Sequence, residues 1–224
     1  MRCRGYLPER QKAPPLRAVL LPCAGAFVCA VLLAAGSYWA AWPVAGPLNA
    51  EFGWGMPALG AALLLSPAAT TLVLLPAARL APRLAPRTWA TSGLLAGGAT
   101  VLLAPPNLTH FWQLCAALVL AGAACGLALF GLWQTLRWGA PRCLAAALLL
   151  LGCLAGILPA ALGIGSIVAR NSWREGVAAS GGILILASPL AYILLPGREV
   201  FSHGAMEAKL PPPSDGDGAD LPGA

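Results

Sequence analysis

The residues that could do chemistry are few and far apart. His110 and His203 are the two histidines. The seven cysteines, Cys3, Cys23, Cys29, Cys115, Cys125, Cys143 and Cys153, include no pair at CxxC spacing. A nucleophile needs a base within hydrogen-bond reach and an acid to orient it, and no spacing in the chain assembles that set. Zinc would need paired ligands, so the cysteines read as small apolar filler. Asp215 and Asp217 lack the later ligands of a calcium loop. Neither an enzyme nor a metal or cofactor site is expected. What remains is a set of neutral polar groups inside apolar runs, among them Ser37, Tyr38, Thr70, Thr71, Gln113 and Gln134. A basic triplet, Arg79, Arg83 and Arg87, stands at spacing four in "LPAARLAPRLAPR".

The elements that must carry these residues follow from composition. The 224 residues are 58% hydrophobic and 10% charged, with a mean hydropathy of +0.75. Soluble domains carry roughly 25% charged residues, so the composition reads as membrane-embedded. The net charge of +6 does not then point to nucleic acid, because aromatic and basic residues are not interleaved as a single-strand binder needs.

Six uncharged apolar segments are predicted to span: Ala18 to Trp42, Ala58 to Ala78, Thr88 to Ala104, Phe111 to Gln134, Cys143 to Val168, and Gly176 to Leu195. Each has about 17 to 26 residues, enough to cross a hydrocarbon core of roughly 30 Å as a helix. The first is too long for a signal peptide and five more follow it. With alternate threading, Arg2, Arg4, Arg10, Lys12, Arg17, the Arg79 to Arg87 triplet, Arg137, Arg142, Arg198 and Lys209 fall on one side. Arg170 and Arg174 fall on the other. The positive-inside rule makes the first side cytoplasmic, with both termini there. A multi-pass protein of the plasma membrane, with the lipid bilayer as its first partner, is expected. The domains are then a basic N-terminus at 1–17, a six-helix domain at 18–196 and a tail at 197–224. The tail is Pro, Gly and Asp rich and is expected to be disordered.

Inside the spans, Gly93 with Gly97, Gly122 with Gly126, and Gly152 with Gly156 repeat at the spacing that lets helix backbones approach in lipid. Pro67, Pro159 and Pro189 each remove a backbone donor and are expected to kink their helices. No carboxylate is available inside a span for a proton relay. The "NLT" at Asn107 matches a glycosylation sequon, but its loop is too short to hold a glycan clear of the bilayer.

Three stretches together resemble the N-terminal half of a major facilitator superfamily transporter, similar in appearance to its monocarboxylate-transporter-like branches. The resemblance covers about Ala18 to Pro196. "FGWGMPALGAALLLSPAATTLVLLPAARLAPRLAPR" is similar to the second helix and the signature loop after it. "NLTHFWQLCAALVLAGAACGLAL" looks like the opening of helix four. "LRWGAPRCLAAALLLLGCLAGILPAALGIGSIVARNSWREG" looks like helix five and the Trp173–Arg174 pair that opens helix six. In the signature loop Leu80, Arg83 and Arg87 fit. Ala78, Pro82 and Ala85 replace the usual Gly, Asp and Gly, and the usual arginine of helix four and lysine of helix one are missing.

The resemblance implies an all-α bundle of six transmembrane helices, half of the family's twelve. It implies alternating access for a small organic solute, with a monocarboxylate as the solute of those branches. It would make Tyr38, Thr70 and Gln134 lining candidates and Arg79, Arg83 and Arg87 a gating loop. A second copy or a complementary six-helix half is the implied partner. The alternative is a truncated or degenerate half-transporter that acts as a non-transporting membrane interaction partner.

Overall fold

A computed structural model describes residues 16–37, 42–80, 84–139 and 141–197. Residues 1–15 of the basic N-terminus, Tyr38, Arg83 and all of the tail beyond Gly197 lie outside the described residues. Eight helices and no strand occur among the described residues: α1 (Leu16–Gly36), α2 (Trp42–Phe52), α3 (Met56–Leu63), α4 (Leu65–Leu80), α5 (Pro86–Asn107), α6 (Phe111–Gly139), α7 (Arg142–Arg170) and α8 (Trp173–Leu194).

Four of the six expected spans are long and apolar enough to cross a membrane: Met56–Leu80, Phe111–Arg137, Arg142–Arg170 and Trp173–Leu194. The first and third expected spans differ. Leu20–Gly36 is a shorter apolar helix. α5 is long, but Arg87, Thr88, Thr91, Ser92, Thr100 and three prolines dilute its apolar character. Trp42, expected to end the first span, instead begins α2. Pro67 breaks the second span. It has no N–H for the Leu63 carbonyl, and the chain turns at Leu64 between α3 and α4. Pro159 and Pro189 lie within single continuous helices.

Close contacts fix the helix directions. A Cβ on Gly122 or Gly126 of α6 would collide with the Ser66 and Thr70 backbone of α4, so these helices run parallel. Gly152 and Gly156 of α7 meet Phe27 to Ala34 of α1 in the same parallel sense. Gly93 and Gly131 seat α5 antiparallel on α6. Gly25 and Gly36 seat α1 antiparallel on α8, and Gly98 with Gly181 seats α5 antiparallel on α8. All three glycine pairs seen in the sequence therefore lie at helix contacts.

The packing is consequently symmetric under an exchange. The unit α1, α4, α5 runs up, down, up; the unit α6, α7, α8 runs down, up, down. The second helix of each packs parallel on the first helix of the other (α4 on α6, α7 on α1). The third packs antiparallel on the first of the other (α5 on α6, α8 on α1), and α5 and α8 pack on each other. These directions place Arg79, Arg87, Arg137 and Arg142 at one end, the arginine-rich end, and Arg170 and Arg174 at the opposite end.

The main core joins both units through Cys29, Leu33, Leu94, Val101, Leu118, Leu132, Leu136, Val177 and Leu184. α4 and α7 are peripheral and turn large apolar side chains outward: Leu72 is 68% exposed and Leu162 71%. An outward apolar surface of this extent fits a lipid surround better than water.

Candidate functional site

α1 stops inside the bundle. Its last residues meet Ser180 and Leu184 of α8, 7 to 11 residues past the start of α8 at Trp173. At 1.5 Å per residue that is about 10–16 Å short of that end. Ser37, just after α1, donates its hydroxyl to the Leu33 carbonyl (2.7 Å) and lies 3.2 Å from Cys125 Sγ on α6. The remaining depth falls to α2, whose Val44, Ala45 and Leu48 are buried on the main core.

α2 ends in a polar clasp. Glu51 Oε2 accepts from the Trp173 indole N–H at 2.6 Å and from Arg174 Nη1 at 3.0 Å, while Oε1 accepts from Arg174 Nη2 at 2.5 Å. Trp173 is buried, so its indole N–H needs a partner, and Glu51 supplies it. Arg174 also stacks over the Trp173 ring, 4.6 Å from its centroid. Phe52 stacks on Trp54 (4.4 Å), and the edges of Trp173 and Phe111 complete an aromatic cluster. α8 begins here with a serine N-cap. Ser172 Oγ accepts from Glu175 N–H, and the Glu175 carboxylate accepts from Asn171.

The Arg174 guanidinium, with the Trp173 indole second, holds the Glu51 carboxyl below its ordinary value of 4.5. Both partners are partly open to solvent (44% for Arg174, 36% for Glu51), so screening is substantial. A carboxyl lowered on folding stabilises the fold fully above its unfolded pKa, and that contribution is lost as pH falls through the folded pKa. Acidification from neutral pH through and below 4.5 is expected to loosen α2 reversibly. The check is amide exchange of 42–52 as a function of pH, corrected for intrinsic rates. Glu51→Gln should abolish the acid-dependent step.

At the arginine-rich end the basic triplet is divided. Arg79 is exposed in the last turn of α4. Arg87, in the first turn of α5, lays its guanidinium 5.0 Å from the Tyr192 ring centroid and beside Gly197, just past the end of α8. A cation at a helix C-terminus is favoured there by the helix dipole. Trp89 is buried edge-on to Phe130 at 5.8 Å rather than facing an interface.

The described lining candidates do not converge. Thr70 Oγ1 lies 2.9 Å from the Ser66 carbonyl and 2.8 Å from the Gly122 carbonyl, so it ties α4 to α6. Gln134 is half-buried on α6, nine residues from Cys125 and hence about half a turn away from the α1 contact. Tyr38, as noted, is outside the described residues. Gln113 is committed to its own helix start, accepting from the N–H groups of Thr109 and His110. A groove of ≈ 350 Å³ between α5 and α6 is lined mostly by apolar residues such as Leu103, Trp112 and Leu120; of its polar residues, Thr100 bonds back to the Ala96 carbonyl and Gln113 is the one committed to its helix start.

Glu51 was not picked out from the sequence. The signal was there: between Arg10 and Arg174 it is the only acidic residue, and alternate threading puts it on the same side as Arg174. Compared with known proteins, the chain matches no family model and no curated protein.

Proposed function

We propose that the chain is a membrane-embedded, transporter-type six-helix unit of the major facilitator kind. It would take part in moving a small organic solute, a monocarboxylate being the first class to test. The observation that carries this reading is the exchange-related packing of two three-helix units of opposite direction, the architecture on which alternating-access carriers are built. Two further features support it. α1 ends at Gly36, short of the clasp end, and α2 begins at Trp42; discontinuous helices of this kind flank the midplane site of many carriers. The described arginines segregate by end, which under the positive-inside rule makes the Arg79, Arg87, Arg137 and Arg142 end cytoplasmic and the Glu51 clasp external.

Carriers of this design place the solute between two six-helix units. The scatter of Thr70 and Gln134 within one unit fits a site that needs a second copy or a complementary half. The test is uptake into proteoliposomes across a carboxylate panel, with the chain both dilute and crosslinked as a dimer. Uptake above empty vesicles in the dimer is expected; none in either form would sink the reading.

A second reading has its own observation. The Thr70 hydroxyl is spent on the α4–α6 contact, and the groove between α5 and α6 is mostly apolar. A non-transporting membrane partner needs no such cavity. Co-purification with a full-length carrier, without flux of its own, would favour it.

A further inference from the structure

We propose that α2 is a hinged gate segment, held closed by the Glu51 clasp and able to open without unfolding the rest of the bundle. The hinge is at its C-terminal side. Gly53 (φ 65°) and Gly55 (φ 84°) occupy the left-handed region that other residues enter only under strain. Asn49 organises the turn: its carbonyl accepts from Gly53 N–H at 2.9 Å and its Oδ1 from Gly55 N–H at 2.8 Å. The turn's bond to the following helix runs forward only, from Leu59 N–H of α3 to the Gly55 carbonyl at 3.1 Å, so the two glycines lie between α2 and the start of α3.

The latch is the Glu51 carboxylate. It reaches across 122 positions of sequence to Trp173 and makes the polar tie seen between α2 and α8 among the described residues. The remaining hold is apolar, through buried Val44, Ala45 and Leu48 and through Phe52, which meets the edge of Trp173 at 6.3 Å. These four side chains favour the closed state, but they are a small part of a core made mostly by α1, α5, α6 and α8. α1 ends level with Leu184 and Cys125, so α2 alone among the first two helices covers the clasp end. Its departure would uncover the Ser37–Cys125 level from that end. The device stands whether or not the chain moves a solute, and its test does not require flux.

The experiment is hydrogen exchange followed by mass spectrometry on the full chain in nanodiscs. Glu51→Gln and Arg174→Gln are compared with the unmodified chain. Exchange over 42–52 is expected to accelerate on the order of tenfold, with α5 and α6 unchanged. Trp173→Phe keeps the ring and removes one donor, and should fall between. Unchanged exchange over 42–52 in both clasp variants would overturn the gate, because α2 would then be fixed by packing. Equal acceleration in α2, α5 and α6 would also overturn it, because the clasp would then serve global stability only.

Discussion

Leucine at Gly156 of α7 or at Gly122 of α6 is expected to dislodge a helix, whereas leucine at Gly163 of α7 is expected to be harmless or slightly stabilising. The difference lies in what the first added carbon meets. At Gly156 it would run into the Val31 carbonyl and come within 3.0 Å of Ala34 Cβ; at Gly122 it would run into the Ser66 backbone. Backbone cannot swing aside as the tip of a long side chain does, so the helices must part. Parting α4 from α6 also breaks the contact of Thr70 with the Gly122 carbonyl. Overpacking a close contact costs about 1–3 kcal/mol, and both sites belong at the upper end because the obstacle is main chain. With roughly 2–4 °C per kcal/mol for a chain of this size, the midpoint should fall on the order of 5–10 °C. Gly163 has nothing within 4 Å, and removing a mid-helix glycine favours the helix by about 1 kcal/mol. Thermal release of the buried Cys29 thiol to a fluorogenic maleimide reads all three variants. Equal midpoints would mean that the α1–α7 and α4–α6 contacts do not hold the bundle.

The same glycines show what the sequence could carry and what it could not. Spacing of four marked Gly122 with Gly126 and Gly152 with Gly156, because two small residues one turn apart make a groove on a helix whatever lies opposite. Gly131, Gly98 and Gly181 form contacts just as close, but none of the three has a glycine partner at that spacing. The internal repeat was hidden for a related reason. In both parallel pairs the grooved helix belongs to the second unit (α6 against α4, α7 against α1), so the packing repeats while the residue pattern does not.

α2 was illegible for a different reason. "WPVAGPLNAEF" contains Pro43, Gly46 and Pro47, which read as breakers. Pro43 is tolerated in the first turn, and burial of Val44, Ala45 and Leu48 on one face outweighs the weak propensity. Hydropathy also carried the first span through to Trp42, because the residues on both sides of the interruption are apolar. The Trp173–Arg174 pair was found as a motif, but its partner could not be. Glu51 is joined to it only when α2 is placed at the end of the bundle where α8 begins.

Valine at Gly181 is expected to separate the two three-helix units, and valine at the next residue, Gly182, is not. Gly181 lies where α5 and α8 cross: a Cβ there would come 2.9 Å from Leu102 N and 3.0 Å from the Gly98 carbonyl. The opposite side of the crossing is equally tight, since a Cβ on Gly98 would meet Ile185 Cγ1 at 2.7 Å and the Gly181 carbonyl at 2.9 Å. Ser188 adds a hydroxyl bond to the Thr91 carbonyl at 3.3 Å a few residues along, and it would be lost when the helices spread. Gly182 has nothing within 4 Å, so the two variants share the intrinsic helix cost of valine and differ in the contact alone. A loss of about 3 kcal/mol is expected for Gly181→Val and a similar loss for Gly98→Val, against a small change for Gly182→Val. The double variant should lose little more than either single one, because both damage one contact and their effects are not additive. Thermal midpoints of the four chains decide this. Co-purification of fragments divided between α5 and α6 adds a direct reading of whether the units still recognise each other. If Gly181→Val and Gly182→Val melt together, the α5–α8 crossing is not the seam on which the two units depend.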